Sequence, residues 1–394
     1  MTLAKSDLGI PAAEFAERRN RVLHLARERG LAGVLVCARG GGALDRYGDV
    51  MYLTNHYSPF PYIPDLPGAW TGRAHSFLVM PVDQDPILVV DIPSIELIRL
   101  APDQIVVADL VTEAAIDALH RKLRKGRIGL VGGDTLPSSM AKSFEASLPD
   151  LEWEPADDIL AQLRAIKSPA EIEKLRRASA LGSRMIEAMM AAAEPGASHG
   201  DVVAAGMVVL VPAGGILYNS FMASGRGGDA PTIFRSNFPT WGAKARLADG
   251  EWLRLGISGM LDGYCFDLSR SRPIGKPTAP QIAAFEAAIA VVEAGIEAIR
   301  VGNTGGAVAR AGLRKQEEVG FPWKGVFAGL GHGIGLGWDA PWLVPEDTTE
   351  LKPAMVLNIE KTLMKDGYLG DFEESVLLTE RGPELLTNAQ VRYW

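Results

Sequence analysis

The sequence predicts an α/β protein of two domains: an α/β layer structure first, then an α+β domain in which antiparallel strand pairs alternate with long helices. Three observations lead there. Apolar strand-like runs alternate with helical stretches up to residue 150, a capped amphipathic helix opens after Lys167, and the later apolar runs come in pairs. The domains are therefore set at residues 1–166 and 167–394.

Residues 12–29 carry Phe15, Val22, Leu25 and Ala26 at helical spacing and stop at Gly30, so LAGVLVCA (31–38) follows as a buried strand. SFLVMPV, PILVVDI, QIVVADL and RIGLVGG read as further strands, with EAAIDALHRKLRK as a helix before the last. HYSPFPYIPDLPGAW (56–70), rich in proline and aromatics, reads as a long loop exposing Tyr57, Phe60, Tyr62 and Trp70. It is either a packing cluster or the aromatic wall of a pocket. Ser168 is placed as the N-cap of the next helix, with Pro169 at its first position and Glu171 completing a capping box. Helices are expected over 277–302 and 304–319, and Asp262-Gly263 is expected to turn a hairpin.

With 394 residues, 47% hydrophobic and 22% charged, the chain is long enough for two cores. A net charge of -8 and a pI near 5.4 argue against a nucleic-acid or anionic-membrane partner, which needs clustered positive charge. Cys37 and Cys265 fall in buried strand runs and read as inert thiols, not a disulfide. No apolar run is read as reaching the roughly 18 residues of a membrane span. With no signal-type hydrophobic segment at the start, a cytoplasmic location is expected.

The chemistry is concentrated in the second half. GLGHGIGLGWDAPWL, residues 329–343, sets a glycine at every second position around His332, which strips one strand face so that a backbone, a ligand or a metal can approach. Three other strand-like runs are interrupted by acids: Asp267 in GYCFDLSRSRPIG, Glu360 in VLNIEKTL, and Glu373 with Glu374 in GDFEESVLLTERG. A carboxylate at such a place is costly unless paired or coordinated. An imidazole with three carboxylates suits zinc, manganese, iron or cobalt, and the same groups can run proton transfer without a metal. The glycine run is not a dinucleotide fingerprint, because Ile334 and Leu336 occupy required glycine places. Cys265 lacks the basic neighbours of a thiolate nucleophile.

In order and spacing, these four segments resemble the pita-bread superfamily of methionine aminopeptidase, aminopeptidase P, prolidase and creatinase (peptidase M24). RYGDVMYLTNHY and LRAIKSPAEIEKLRRAS resemble the N-terminal domain and junction of its two-domain members. The resemblance implies a creatinase-type α/β domain followed by a pita-bread catalytic domain, in a homodimer. It carries the metal-binding and catalytic positions onto Asp267, His332, Glu360 and Glu373. The family's first aspartate would stand eleven positions before Asp267, where this chain has Gly256. The peptidases' substrate-gripping histidine falls on Thr232, and where a second histidine follows GHGIGL, Asp339 stands nearest.

These departures imply at most one divalent ion, and a metal-free centre stays open. They point to hydrolysis of a C–N bond in a small polar or cationic metabolite, as in the creatinase and ectoine hydrolase branches. The alternatives are an Xaa-Pro dipeptidase or aminopeptidase, a lyase of dimethylsulfoniopropionate-type sulfonium compounds, and a non-catalytic binding module. Trp338 and Trp342 flank Asp339, and with Tyr62 and Trp70 they are expected to line the substrate pocket, offering aromatic faces to a cation.

Overall fold

A computed structural model describes residues 9–40, 47–91, 97–227, 242–321 and 329–394, and the backbone of 234–238. The chain divides into two compact units, Met1–Arg164 and Ala165–Trp394.

In the first unit, α1 (Ala12–Glu28) buries the stripe Phe15, Val22 and Ala26. It is followed by β1 (Gly33–Arg39), α2 (Gly48–Thr54), β2 (His75–Pro81), β3 (Ile87–Val90), β4 (Ile105–Val107), α3 (Val111–Lys122), β5 (Gly126–Val131), α4 (Ser138–Ser147) and β6 (Leu151–Pro155). The strands form one sheet of order β4-β3-β2-β1-β5-β6, antiparallel where β2 meets β1 and β3 and parallel elsewhere. Alternate residues Leu35, Cys37, Phe77 and Val79 pack against Val111, Ala115 and Leu119 of α3 and Phe144 of α4. Cys37 and Cys265 are both buried free thiols.

The helix α5 (Asp157–Ala165) runs up to the division between the units, and α6 (Pro169–Ala192) then starts at Ser168, whose hydroxyl accepts from the Glu171 amide while Glu171 accepts from the Ser168 amide. The second unit continues with α7 (His199–Leu210), β7 (Ile216–Gly225), β8 (Phe234–Phe238), β9 (Trp252–Leu261), β10 (Tyr264–Pro273), α8 (Ala279–Ala298), α9 (Gly305–Glu318), β11 (Gly331–Ile334), β12 (Trp338–Trp342), β13 (Val356–Lys365), β14 (Tyr368–Thr379) and β15 (Gly382–Leu385). They form two antiparallel sheets, β10-β9-β7-β8 and β12-β11-β13-β14-β15. Asp262 and Gly263 turn the β9–β10 hairpin with φ of +51° and +83°, the left-handed pair a two-residue turn requires.

One face of each sheet carries the apolar core. Leu253, Leu255 and Ile257 of β9 and Phe266 and Leu268 of β10 pack with Leu181, Met185 and Met189 of α6. Leu357 and Ile359 of β13 and Phe372 and Val376 of β14 pack with Phe285, Ala288 and Val292 of α8. Each such side chain contributes about 1.5–3 kcal/mol by leaving water. The sequence reading overlooked one apolar segment: α8 is long and apolar enough to cross a membrane by length and composition. Phe285, Ala288, Val291 and Val292 nonetheless lie fully buried in this core.

Strand alternation turns the remaining residues the other way, so Arg254, Gly256 and Ser258 share a face of β9, Asp267 and Ser269 of β10, Asn358 and Glu360 of β13, and Asp371 and Glu373 of β14. The two sheets are tied where β10 meets β14: Ser271 Oγ donates to the Asp371 carbonyl at 3.1 Å, and Asn358 Nδ2 to the Asp267 carbonyl at 3.2 Å. Both polar faces thereby meet in one hollow.

Candidate active site

Asp267 is 8% exposed and sits opposite Ser258 across the hairpin. Its Oδ1 accepts from Ser258 Oγ at 2.8 Å and its Oδ2 from the Trp338 indole Nε1 at 2.7 Å. His332 Nε2 approaches the same Oδ2 at 3.8 Å. The imidazole's other nitrogen, Nδ1, lies 2.9 Å from the Gly333 carbonyl, which places the proton on Nδ1 and leaves the Nε2 lone pair facing the acids. Glu360 and Glu373 stand directly opposite each other on β13 and β14. Glu373 accepts from Asn358 Nδ2, and Ser375 Oγ donates to Asn358 Oδ1, so the glutamate is held from behind.

The glycines around His332 make room for neighbouring strands. A Cβ at Gly331, whose φ is +139°, would lie 1.9 Å from the Asn358 carbonyl oxygen, and one at Gly333 2.3 Å from that of Ala340. Backbones of β13 and β12 therefore occupy the stripped face.

Burial pushes the Glu360 carboxyl up to about 7, with Asp267 and Asp371 adding to the rise and His332 and Arg254 opposing it. Burial raises Asp267 as well, against His332, Ser258, Trp338 and Arg254. Glu373 stands well above the usual carboxylate range, through burial and repulsion from Asp267, Glu360 and Asp371. Asp267, Glu360 and Glu373 thus share a buried hollow that disfavours their charged forms. Asp267, His332 and Glu373 each offer a donor atom, and these atoms all lie within 4.8 Å of one another. An ion with bonds of about 2.0–2.2 Å reaches two donors up to about 4.4 Å apart; His332 Nε2 and Asp267 Oδ2, 3.8 Å apart, meet that limit, and the nitrogen and oxygen donor set suits a divalent metal.

Two charged groups of the hollow escaped the sequence reading. Asp371 is 2% exposed and takes a hydrogen bond from Thr362 Oγ1 and a 2.5 Å ion pair from Arg254 Nε. Burial works against the charge of Arg254, but Asp371, Glu373 and Glu360 outweigh it and hold the guanidinium above its ordinary value. Alternation from Gly256 would have found Arg254, and alternation from Glu373 would have found Asp371. The same rule separates Glu374 from the site: it accepts from Arg270 Nη2 at 2.7 Å and from Thr387 Oγ1 on the opposite face.

Trp338 lies beside the site through its bond to Asp267, its ring 5.8 Å from that of His332; Trp342 flanks the imidazole at the same centroid distance. Asp339 lies on β12 opposite Gly333, where a Cβ on Gly335 would meet its Oδ2 at 2.6 Å and Lys167 Cε at 3.3 Å. Thr232 lies outside the described residues. Tyr62 and Trp70 belong to the first unit. The Tyr62 ring already faces the Arg39 guanidinium at 4.1 Å, and the Trp70 indole donates to the Pro64 carbonyl. One face of the exposed Tyr62 ring is thus taken by the chain's own arginine.

Residues 173–380 match Metallopeptidase family M24, and residues 18–166 match the Creatinase/Prolidase N-terminal domain. An ectoine hydrolase from Halomonas elongata is 27% identical over 63% of this chain and 65% of its own length. An Xaa-Pro dipeptidase from Pyrococcus furiosus is 26% identical over 67% of this chain and 74% of its own. Among solved structures, the prolidase from Pyrococcus horikoshii OT3 superposes with a TM-score of 0.77 at 18% identity, covering 95% of this chain and 99% of that one. A dipeptidase from Mycobacterium ulcerans gives 0.77 at 23% identity, covering 97% and 99%. Two domain matches that together span nearly the whole described fold, with an Asp–His–Glu cluster in the second, place this chain in metallopeptidase family M24, in its two-domain creatinase and prolidase architecture.

Proposed function

We propose that the chain hydrolyses a C–N bond of a small polar metabolite, with at most one divalent ion held by Asp267, His332, Glu360 and Glu373. The observation that carries this reading is the convergence of Asp267, His332 and Glu373 in a chain with Gly256 across the hairpin, opposite Ser269, where a further carboxylate ligand would be needed for a second ion. The chemistry such an ion supplies is Lewis acidity and a water pKa lowered from 15.7 toward about 7.

The protein's own residues do the rest. The bond from His332 Nδ1 to the Gly333 carbonyl fixes the tautomer, so Nε2 serves as ligand or, without metal, as proton acceptor. Glu360, lifted toward neutrality by its burial, takes a proton from the water whose oxygen bonds to the substrate carbon and gives it to the nitrogen as the C–N bond breaks. Ser258 and Trp338 hold both oxygens of Asp267, and Asn358 holds Glu373, so neither acid reorganises as charge develops. Asp339, Trp338 and Thr232 are the substrate contacts on this reading, in a cytoplasmic homodimer.

The similarity to an Xaa-Pro dipeptidase supports a second reading, cleavage of an Xaa-Pro dipeptide. Incubation with Xaa-Pro dipeptides plus manganese, and with creatine-like guanidines, cyclic amidines and sulfonium compounds with and without chelator, separates the two. Turnover of an amidine or guanidine supports the proposal. Turnover confined to Xaa-Pro dipeptides overturns it.

A further inference from the structure

Arg254 is the feature of the hollow that the proposed reaction leaves unused. It shares its strand face with Gly256 and Ser258, and its guanidinium lies alongside the position a side chain at 256 would take: a Cβ there would be in van der Waals contact with Arg254 Nη2 at 3.5 Å and Cζ at 3.7 Å. Nε is committed to Asp371 at 2.5 Å. Asp371 in turn has its other oxygen bonded by Thr362 Oγ1. The acid nearest the arginine is therefore satisfied without any metal.

We propose that the Arg254–Asp371 pair is a built-in cation site that takes the place of a second metal ion, and that it limits this centre to one ion per chain. The proposal rests on the assignment of Asp267, His332, Glu360 and Glu373 as ligands, and adds why there is no room for another ion. Two arguments support it. The first is donor supply. Asp267, His332 and Glu373 cluster on one side, with Asp267 held only by the neutral donors Ser258 and Trp338, while on the other side Gly256 offers nothing and the charge of Asp371 is already met by the Arg254 guanidinium. The second is charge. Asp267, Glu360, Asp371 and Glu373 face one guanidinium, so one divalent ion leaves the hollow slightly negative and a second turns it positive, close to a permanent cation whose nearest acid, Asp371, is already paired with it.

The test counts ions. Protein stripped with chelator and dialysed is titrated with Mn2+ by calorimetry and by electron paramagnetic resonance, alongside the double variant Arg254→Met with Gly256→Asp. The parent should bind one Mn2+ per chain with the spectrum of an isolated ion, any second ion binding at least ~100-fold more weakly because of the neighbouring charge. The double variant should bind two, with an exchange-coupled signal. Two ions of similar affinity on the parent, or none at millimolar Mn2+, overturn the inference. So does a double variant that keeps the parental circular dichroism yet still binds one. Should that variant fail to fold, the parent's count decides alone. A two-ion result removes the one-ion limit from the proposed function as well, while its C–N bond chemistry stands or falls on the substrate panel.

Discussion

Replacing Trp338 by Phe removes one hydrogen-bond donor and keeps an aromatic ring beside His332. In the native protein the indole N–H donates to Asp267 Oδ2 at 2.7 Å, the oxygen that His332 Nε2 also approaches. Asp267 is nearly buried, so water replaces the lost donor poorly. A hydrogen bond to a charged group contributes about 1.5–3 kcal/mol, which corresponds to a roughly 10- to 150-fold change in equilibrium constant. If Asp267 ligates an ion as the ionised carboxylate, Trp338→Phe should weaken Mn2+ binding by that factor. Calorimetric titration of stripped protein near pH 7.5 measures it, with circular dichroism as the check on folding. A dissociation constant within twofold of the parent's, in a folded variant, refutes the idea that this indole orients a metal ligand.

Further perturbations discriminate the same account. His332→Ala should lower turnover of whatever substrate the panel identifies by at least ~100-fold, and a loss under tenfold removes the imidazole from the chemistry. Glu374→Gln, on the face turned away from the site, should cost on the order of 3 kcal/mol of unfolding free energy by weakening its buried pairing with Arg270, and should leave Mn2+ affinity unchanged; Glu373→Gln should do the reverse, and identical behaviour in both measurements contradicts the strand-face assignment. His56, in the first unit, is pushed by burial from 6.5 down to about 4, so the unfolded chain binds more protons between those values and stability is lost as pH falls from 6.5 through 4. The loss is on the order of 3 kcal/mol. His56→Gln should flatten that decline in urea unfolding measured at pH 7 and pH 4.5, and an unchanged decline assigns the acid sensitivity elsewhere.

Much of the fold could be read locally because local chemistry decided it. Asp262-Gly263 is one of the few dipeptides that take two consecutive left-handed residues, and the Ser168–Glu171 box marks a helix start wherever it occurs. The four acid- and histidine-bearing strands were legible for a related reason: a polar residue inside an apolar strand has to be satisfied by something. What the segments did not reveal was partnership across strands. Arg254 lies in an unremarkable LRLG run, and its importance follows from the register that sets it on the hollow's face and from Asp371 117 residues away. Glu374 looked equal to Glu373 until the strand's period sent it to Arg270. The glycine row around His332 correctly signalled a close approach, but neighbouring carbonyls, not a ligand, occupy that face. For α8, composition resembles a membrane span, and only the packing against β13 and β14 identifies it as a core helix.

The most direct test is anomalous diffraction at the manganese edge from crystals grown with Mn2+. The account predicts a single peak with bonds of about 2.0–2.3 Å to Asp267, His332 and the paired glutamates, and the Arg254 guanidinium still over Gly256. Two peaks in the hollow, or an ion bound away from His332, would contradict it.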